Sequence, residues 1–539
     1  MSDTTVIILA AGQGTRMKSR RAKVLHELCG VPMLGHVLRS AKALSPSRLL
    51  VVVGKDAGEV EAHFEGEAEF VLQAEQKGTG HAVLVAQSAL GEASGDVLIL
   101  YGDTPLLSAS TLEKMSAVKR ERNADLAVLT AKTQNIPGRV ARGPDGRVTR
   151  IIEAQDATPE ELELEERNTG VYLVSADLLR DGLASLRPNN AQGELYITDI
   201  VGFAVEHGLR VEGVEIDDPD ECMGINTRSE LAEATSFMRR RITRKLMSEG
   251  VTFIDPASVY IDADVQIGQD SIIEPGVVIS GPSTLGEGVH VKAGCVIEES
   301  WLDDDVIIGP SAHLRPGSHL GKGVKIGNYV EIKNSTLGPG SKAAHLGYIG
   351  DADVGSNVNF SCGAIVVNYD GYKKTRSTIG DGAFIGCNAN LVSPVEIAAR
   401  GFVAAGSTIT RDVGEDALAV ARGRQRNIEG WVARKEGRRP ARPAAGTASR
   451  SAVSGSRSTE AAARPAAKGK PAAERASGKP AGKTAKKIAK KVAKKVAKKA
   501  AKKPAKRTVK QKGVTAKGAS GKAGKTKAAK RSSSKRRSR

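Results

Sequence analysis

Four sets of residues in this 539-residue chain have the types and spacing to do chemistry. The first is Leu9-Ala10-Ala11-Gly12-Gln13-Gly14-Thr15-Arg16-Met17, with Lys23 shortly after. Glycines 12 and 14 let backbone amides approach a polyphosphate, and Arg16 and Lys23 can neutralise its charge. Met17 stands where a Walker A loop would need the glycine before Lys18-Ser19 and where a G-x-G-x-x-G would need its third glycine, so the run is neither motif. A bare Gly-x-Gly turn is equally a structural feature, and Lys23 equally a solvated lysine. The second is Asp103, just after an apolar run, where a carboxylate can hold a metal or simply cap a helix. The third is His345, in Gly340-Ser-Lys-Ala-Ala-His345-Leu-Gly-Tyr348. An imidazole with a reference pKa of ~6.5 can accept a proton near neutrality. The other eight histidines lack such company, and His313 and His319 read as structural or surface residues. The fourth is Arg315 with Lys333, each immediately after an inward aliphatic (Leu314, Ile332) of a repeat. They occupy the same corner type of nearby coils, as a phosphate clamp requires; the alternative is two solvated cations.

The elements that position these groups follow two rules. Up to about residue 225, short apolar runs (Val6–Leu9, Leu49–Val53, Val97–Leu100, Leu126–Leu129) alternate with amphipathic stretches. That pattern predicts a mostly parallel sheet covered on both faces, an α/β Rossmann-like domain over 1–226 with ligands at the carboxyl ends of its strands. Residues 227–250 predict a linking helix, opened by the capping box Thr227-Arg-Ser-Glu230 and stopped by Gly250. From 251 to 433 aliphatic residues fall at every sixth position. They run from Ile261 to Ile297, resume after a one-residue slip at Leu302 to Ile332, and hold phase again from Ile379 to Ile409. Residues 368–378 break the period. Six fits neither helix nor strand alone; it fits a parallel β-helix with three short sides per coil.

Charge is unevenly spread. The chain carries 80 Lys and Arg against 61 Asp and Glu, yet residues 434–539 alone hold 37 basic residues and three acids, so the rest is acidic. Residues 440–539 contain no aromatic residue, and 434–539 are expected to be disordered. Within them Lys486–Lys499 repeats every four residues and resembles histone-H1-like segments. Such lysines can contact nucleic acid or another polyanion non-specifically; the alternatives are an anionic membrane surface, the chain's own acidic body, or a passive solubilising extension. No apolar run reaches the ~18 residues of a membrane helix, and Met1-Ser-Asp-Thr-Thr5 lacks the basic start of a secretory signal. Five scattered cysteines without Cys-x-x-Cys argue against a disulfide scaffold or zinc site and for a cytoplasmic setting.

Taken together, Leu-Ala-Ala-Gly-x-Gly-Thr-Arg-Met with Lys23 resembles the signature of sugar-phosphate nucleotidyltransferases. Gln73-Ala-Glu-Gln-Lys-Gly78-Thr79-Gly-His81 resembles the family's uracil-contacting segment. Tyr101-Gly102-Asp103, Gly138, Glu153, Asn168-Thr-Gly170 and Gly224-Ile-Asn226 resemble its metal- and sugar-contacting positions. With the hexapeptide half attached, residues 4 to 432 resemble the bifunctional N-acetylglucosamine-1-phosphate uridylyltransferase/glucosamine-1-phosphate N-acetyltransferase family.

That resemblance implies two reactions: acetyl transfer from acetyl-CoA to glucosamine 1-phosphate, then uridylyl transfer from UTP to the product. The outcome would be UDP-N-acetylglucosamine, a precursor of peptidoglycan and other envelope polymers. It implies Mg²⁺ on Asp103 and Asn226, with Arg16 and Lys23 catalytic. Leu9, Ala10, Ala11, Gly12, Lys23, Gln73, Gly78, Thr79, Tyr101, Gly102, Asp103, Gly138, Glu153, Asn168 and Asn226 would hold the sugar nucleotide. On the coil it implies His345 as base. Arg315, Lys333, Tyr348 and Asn359 would hold the amino-sugar phosphate, and Asn368, Tyr369, Ala405 and Arg422 the acetyl-CoA. Cys362 and Cys387 stand where the family commonly has small residues facing the coenzyme. A left-handed coil and a homotrimer also come from the resemblance alone. The rival expectation is a single-activity nucleotidyltransferase whose coil is structural or regulatory.

Overall fold

A computed structural model describes residues 4–90, 95–134, 136–188, 190 and 192–438. The chain divides into two units, Met1–Glu429 and Gly430–Arg539. In the first, the strands Thr4–Ala10 (β1), Arg48–Val53 (β2), Glu69–Leu72 (β3), Asp96–Tyr101 (β4), Leu126–Lys132 (β5), Glu166–Ser175 (β6) and Val211–Glu215 (β7) form one sheet. Their order is β7-β5-β6-β4-β1-β2-β3. Alternate side chains of β1 feed cores on opposite faces, Val6 and Ile8 into one and Ile7 and Leu9 into the other. β6 runs antiparallel to β4 and β5, with a register shift between Asn168 and Tyr172. The sheet is thus mixed, parallel elsewhere along this path. Polar Arg167, Asn168 and Thr169 precede the apolar run Val171–Val174 of β6, which hides that strand in the sequence.

Because β1 and β4 are neighbours, the loops after them meet. The Gly102 N–H donates to the Leu9 carbonyl at 2.9 Å. Helix α1 (Thr79–Leu90) follows the loop after β3. Helix α2 (Arg228–Ser248) opens with the expected capping box between Thr227 and Glu230. Its Ala234 and Met238 pack with Met17, Leu28, Met33, Leu106 and Ile225, while Leu246 enters the core of the coil.

The six-residue period is a parallel β-helix. Short strands pair with those three strands later, except that Phe402–Val403 pairs with Leu418–Ala419, two later, giving three sheets of ten, nine and eight strands. We call them sheet I (starting at Thr252–Phe253), sheet II (Tyr260–Ile261) and sheet III (Gln266–Ile267). The periodic aliphatics point inward; Ile273, Ile279, Val291, Ile297, Leu302, Ile308, Leu314, Leu320 and Ile332 are fully buried. Each such burial contributes about 1.5–3 kcal/mol. Glycine after the inward residue permits the corner: a Cβ at Gly327 would lie 1.7 Å from the Ala344 carbonyl of the next coil. The break at 368–376 is a loop between Ile365–Val367 of sheet II and Ser377–Ile379 of sheet III, pinned by an antiparallel bridge between Tyr369 and Lys374.

In the second unit, a short helix at Trp431–Lys435 crosses the boundary expected at 434, so Arg434 and Lys435 are helical. The rest of the expected disordered tail, from 439 on, lies outside the described residues. Among the described residues no helix is long and apolar enough to cross a membrane.

Candidate active sites

The loops after β1 and β4 and the segment leading into α2 bring three predicted residues together. Lys23 Nζ lies 2.5 Å from Asp103 Oδ2 and donates to Asn226 Oδ1 at 2.7 Å. The Lys23 side chain is only 9% exposed. Gly14, at φ +61°, makes this possible, because a Cβ there would lie 2.6 Å from the Lys23 Cβ. Asp103 and Asn226 therefore converge on one cation, with an ammonium as its present occupant. A carboxylate and a carboxamide oxygen are donors that suit a hard divalent metal, whose remaining positions phosphate oxygens and water can fill. Among the described residues no group of three or more His, Cys, Asp or Glu side chains offers a fuller cage.

A cavity of about 500 Å³ opens beside this pair, lined in part by Thr79, Tyr101, Gly138, Glu153, Asn168 and Tyr196. The irregularity in β6 shapes one wall: Asn168 donates to the Tyr172 hydroxyl at 2.7 Å, and its Oδ1 accepts the Gly170 N–H at 3.1 Å. Burial, with Asp156 and Asp199 nearby, pushes the Glu153 carboxyl up. Ala10, Ala11, Gly12 and Lys23 line an adjoining recess, and Leu9 is buried in β1. Gln73 is buried outside the cavity wall, donating to the Gly78 carbonyl at 3.2 Å and contacting His81 Nδ1 at 3.0 Å. Gly102 is buried against β1, and Arg16 is exposed on its loop.

On the coil, sheet II stacks the expected cations. The Arg315 N–H donates to the Ile332 carbonyl at 2.8 Å, so Arg315 and Lys333 follow one another on successive rungs. Arg315 also donates to Glu331 at 2.8 Å. Lys374, from the loop after sheet II, comes beside Lys333, and this like charge, ahead of desolvation and Arg315, holds the Lys333 ammonium below its ordinary range. Tyr348 occupies the next rung, and its hydroxyl accepts from Asn368 at 3.3 Å. Asn368 in turn donates to Asp351 at 2.5 Å.

His345 ends a sheet I strand at the corner leading to sheet II. Its Nδ1 lies 2.7 Å from Asn328 Oδ1, one rung away. An amide oxygen only accepts, so in the neutral imidazole Nδ1 carries the proton and Nε2 the lone pair. The same corner continues as a column: Gly363 N–H to Leu346 O, Asn388 N–H to Cys362 O, and Gly406 N–H to Cys387 O, all at 2.8–2.9 Å. Arg422 closes it by donating to the Ala405 carbonyl at 2.8 Å. His345, Cys362, Cys387, Ala405 and Arg422 thus share one edge. Tyr369 is exposed on the adjoining loop. Asn359 stands apart on sheet I, paired with Lys342 and donating to Ser361.

The two halves match two known families. Residues 6–193 match the MobA-like NTP transferase domain, and residues 264–299 and 300–334 match the bacterial transferase hexapeptide (six repeats). The bifunctional protein GlmU of Trichlorobacter lovleyi is 47% identical over 457 residues, covering 81% of this chain and 99% of that protein. Those of Pelobacter propionicus (47%, 80% and 98%) and Geobacter metallireducens (46%, 80% and 98%) agree with it.

The chain belongs to the bifunctional GlmU family.

Membership makes it an enzyme with a nucleotidyltransferase half and a hexapeptide transferase half, and the coil a left-handed β-helix of hexapeptide repeats. A lone regulatory coil does not describe a bifunctional GlmU. Two residues of the coil site escaped the sequence reading. Asn328 stands 17 residues before His345, so pairing the coils in register would have found it. Lys374 lies inside the break in the period, where no repeat locates a side chain. All five cysteines are free, and burial pushes the Cys29 and Cys222 thiols up to about 12, which keeps them unreactive.

Proposed function

We propose that the coil acetylates glucosamine 1-phosphate with acetyl-CoA, and that the N-terminal half then uridylylates the product with UTP, giving UDP-N-acetylglucosamine and pyrophosphate. The observation that carries this is the pairing of two complementary sites in one chain. One joins two oxygen donors around a cation; the other sets an imidazole on the coil edge that leads to stacked cations.

In the uridylyl site, Asp103 and Asn226 would hold Mg²⁺, which when bound supplies charge neutralisation and orientation of the triphosphate. The amides of the loop at Ala11 and Gly12 bind phosphate oxygens. Lys23 and Arg16 carry the charge that develops on pyrophosphate as the sugar phosphate oxygen attacks the α-phosphorus in line. Gln73, Gly78 and Thr79 hold the uracil, and Tyr101, Gly138, Glu153 and Asn168 frame the sugar.

In the acetyl site, Nε2 of His345 takes a proton from the amine as nitrogen attacks the thioester carbonyl; the carbon–sulfur bond then breaks and coenzyme A leaves as thiolate. Arg315 and Lys333, joined by Lys374, hold the sugar phosphate, with Tyr348 and Asn359 on its hydroxyls. The edge through Cys362, Cys387, Ala405 and Arg422, with Asn368 and Tyr369, lies along the coenzyme. A homotrimer through the coil is supported by the outer face of sheet I. There Phe384 stacks on Phe402 at 4.5 Å and Leu418 is 64% exposed. A cytoplasmic setting fits free thiols and the substrates. The lysine repeat beyond 439 would contact nucleic acid or another polyanion through counterion release.

A split assay tests the whole reading. Given glucosamine 1-phosphate, acetyl-CoA, UTP and Mg²⁺, Asp103→Ala accumulates N-acetylglucosamine 1-phosphate, whereas His345→Ala makes product only when that intermediate is supplied. Retention of both steps by both variants sinks the assignment. Deleting 440–539 leaves both steps intact.

A further inference from the structure

Asn226 supplies one of the two oxygens that meet at Lys23, and its main chain is held from both sides. On one side the Ile225 N–H donates to the Asp103 carbonyl at 2.9 Å, tying together the two segments that carry the oxygen donors. On the other, a single carboxylate oxygen, Oε2 of Glu230, accepts the Asn226 N–H at 2.6 Å and the Thr227 N–H at 2.9 Å. A capping box needs only the second of these bonds. The first reaches one residue beyond the helix start and fixes the residue that bears the carboxamide. Glu230 is itself fixed through its helix, which is anchored by buried Ala234 and Met238.

Resting on the assignment of Asp103 and Asn226 as the metal pair, we propose that Glu230 is a positioning residue of the uridylyl site. It holds Asn226 where its Oδ1 and the Asp103 carboxylate can share one cation. Groups that orient a metal ligand without touching the metal commonly change affinity by about 10–100-fold. Thr227 offers a natural control. It belongs to the same capping box, yet removing its hydroxyl leaves the Asn226–Glu230 bond in place.

The test measures Mn²⁺ binding to the full-length protein by electron paramagnetic resonance of the free ion, with acetyl transfer as a report on the fold. Glu230→Ala should weaken Mn²⁺ binding roughly tenfold. Glu230→Asp, which keeps the charge but withdraws the oxygen by one methylene, should shift it the same way and decides the matter if the alanine variant does not fold. Thr227→Ala should stay within about twofold of wild type in Mn²⁺ affinity, although losing half the cap lowers its melting temperature. Acetyl transfer should be unchanged in all three. Wild-type affinity in both Glu230 variants overturns the proposal, as does an equal loss in Thr227→Ala. Asp103→Ala separates the two levels. If it binds Mn²⁺ normally, the metal pair itself is misassigned; if it alone loses affinity, only the role of Glu230 falls.

Discussion

Asn328 Oδ1 stands 2.7 Å from Nδ1 of His345 across neighbouring rungs of sheet I. That contact fixes the tautomer that leaves Nε2 basic. Asn328→Ala should lower the acetyl-transfer kcat by about 10–100-fold, less than the roughly 10²–10⁴-fold that loss of the base itself would cost. Uridylyl transfer should not change. Equal loss of both activities would point to coil damage, and an unaltered acetyl rate would remove Asn328 from the site.

The Lys333–Lys374 pair gives the acetyl site a pH signature. Lys374 lowers the Lys333 pKa below its ordinary value, so Lys333 loses its proton at a lower pH than a solitary lysine. The phosphate clamp is complete below that pKa and weakens as pH rises through it. KM for glucosamine 1-phosphate should therefore climb on the alkaline side. In Lys374→Ala that climb moves to higher pH, because the repelling charge is gone. A KM profile unmoved by the substitution would rule out the coupling.

Gly14 should tolerate no side chain. Alanine at φ +61° meets the Lys23 stem at 2.6 Å, and the backbone alone costs about 1–2 kcal/mol in that region. Gly14→Ala is expected to cut uridylyl transfer at least roughly tenfold while acetyl transfer continues. The two rates are read from the same preparation.

Chelation should divide the enzyme functionally. With EDTA in excess, uridylyl transfer is expected to stop and acetyl transfer to proceed, since the acetyl step proposed above draws on an imidazole and stacked cations. Restoring Mg²⁺ should restore uridylyl transfer. Loss of acetyl transfer under EDTA would contradict the arrangement.

Packing inside the coil supports its site directly. Ile332, fully buried, precedes Lys333. Ile332→Ala should lower stability by about 2–5 kcal/mol, seen as an earlier denaturant midpoint for the coil. Acetyl transfer should fall with it under conditions where the coil is partly unfolded.

The coil was legible because its period is strict. Ile308, Leu314, Leu320, Ile326 and Ile332 alone dictate three sides and the rung on which Arg315 and Lys333 stand. The loop after β1 was legible because glycine spacing and charge survive without three-dimensional context. β6 was not, since its polar start disguises a strand, and its antiparallel direction is set by neighbours distant in sequence. Lys374 and Asn328 went unread for the opposite reason: their residue types are ordinary, and only the stacking of coils gives them meaning. Glu230 could be read as a helix cap; its bond to the Asn226 amide required coordinates.

The excursion that carries Asn368, Tyr369 and Lys374 leaves the coil after Val367 and rejoins it at Ser377. Arg376 secures its return by ion pairing with Asp353 and donating to the Asn334 carbonyl at 2.8 Å. Since each strand of the ladder pairs only with strands of the adjacent rungs, such a detour can change length or composition without shifting the tiers above or below it. The groups proposed to meet substrate from this stretch can thus change while the coil that carries His345 is left as it was.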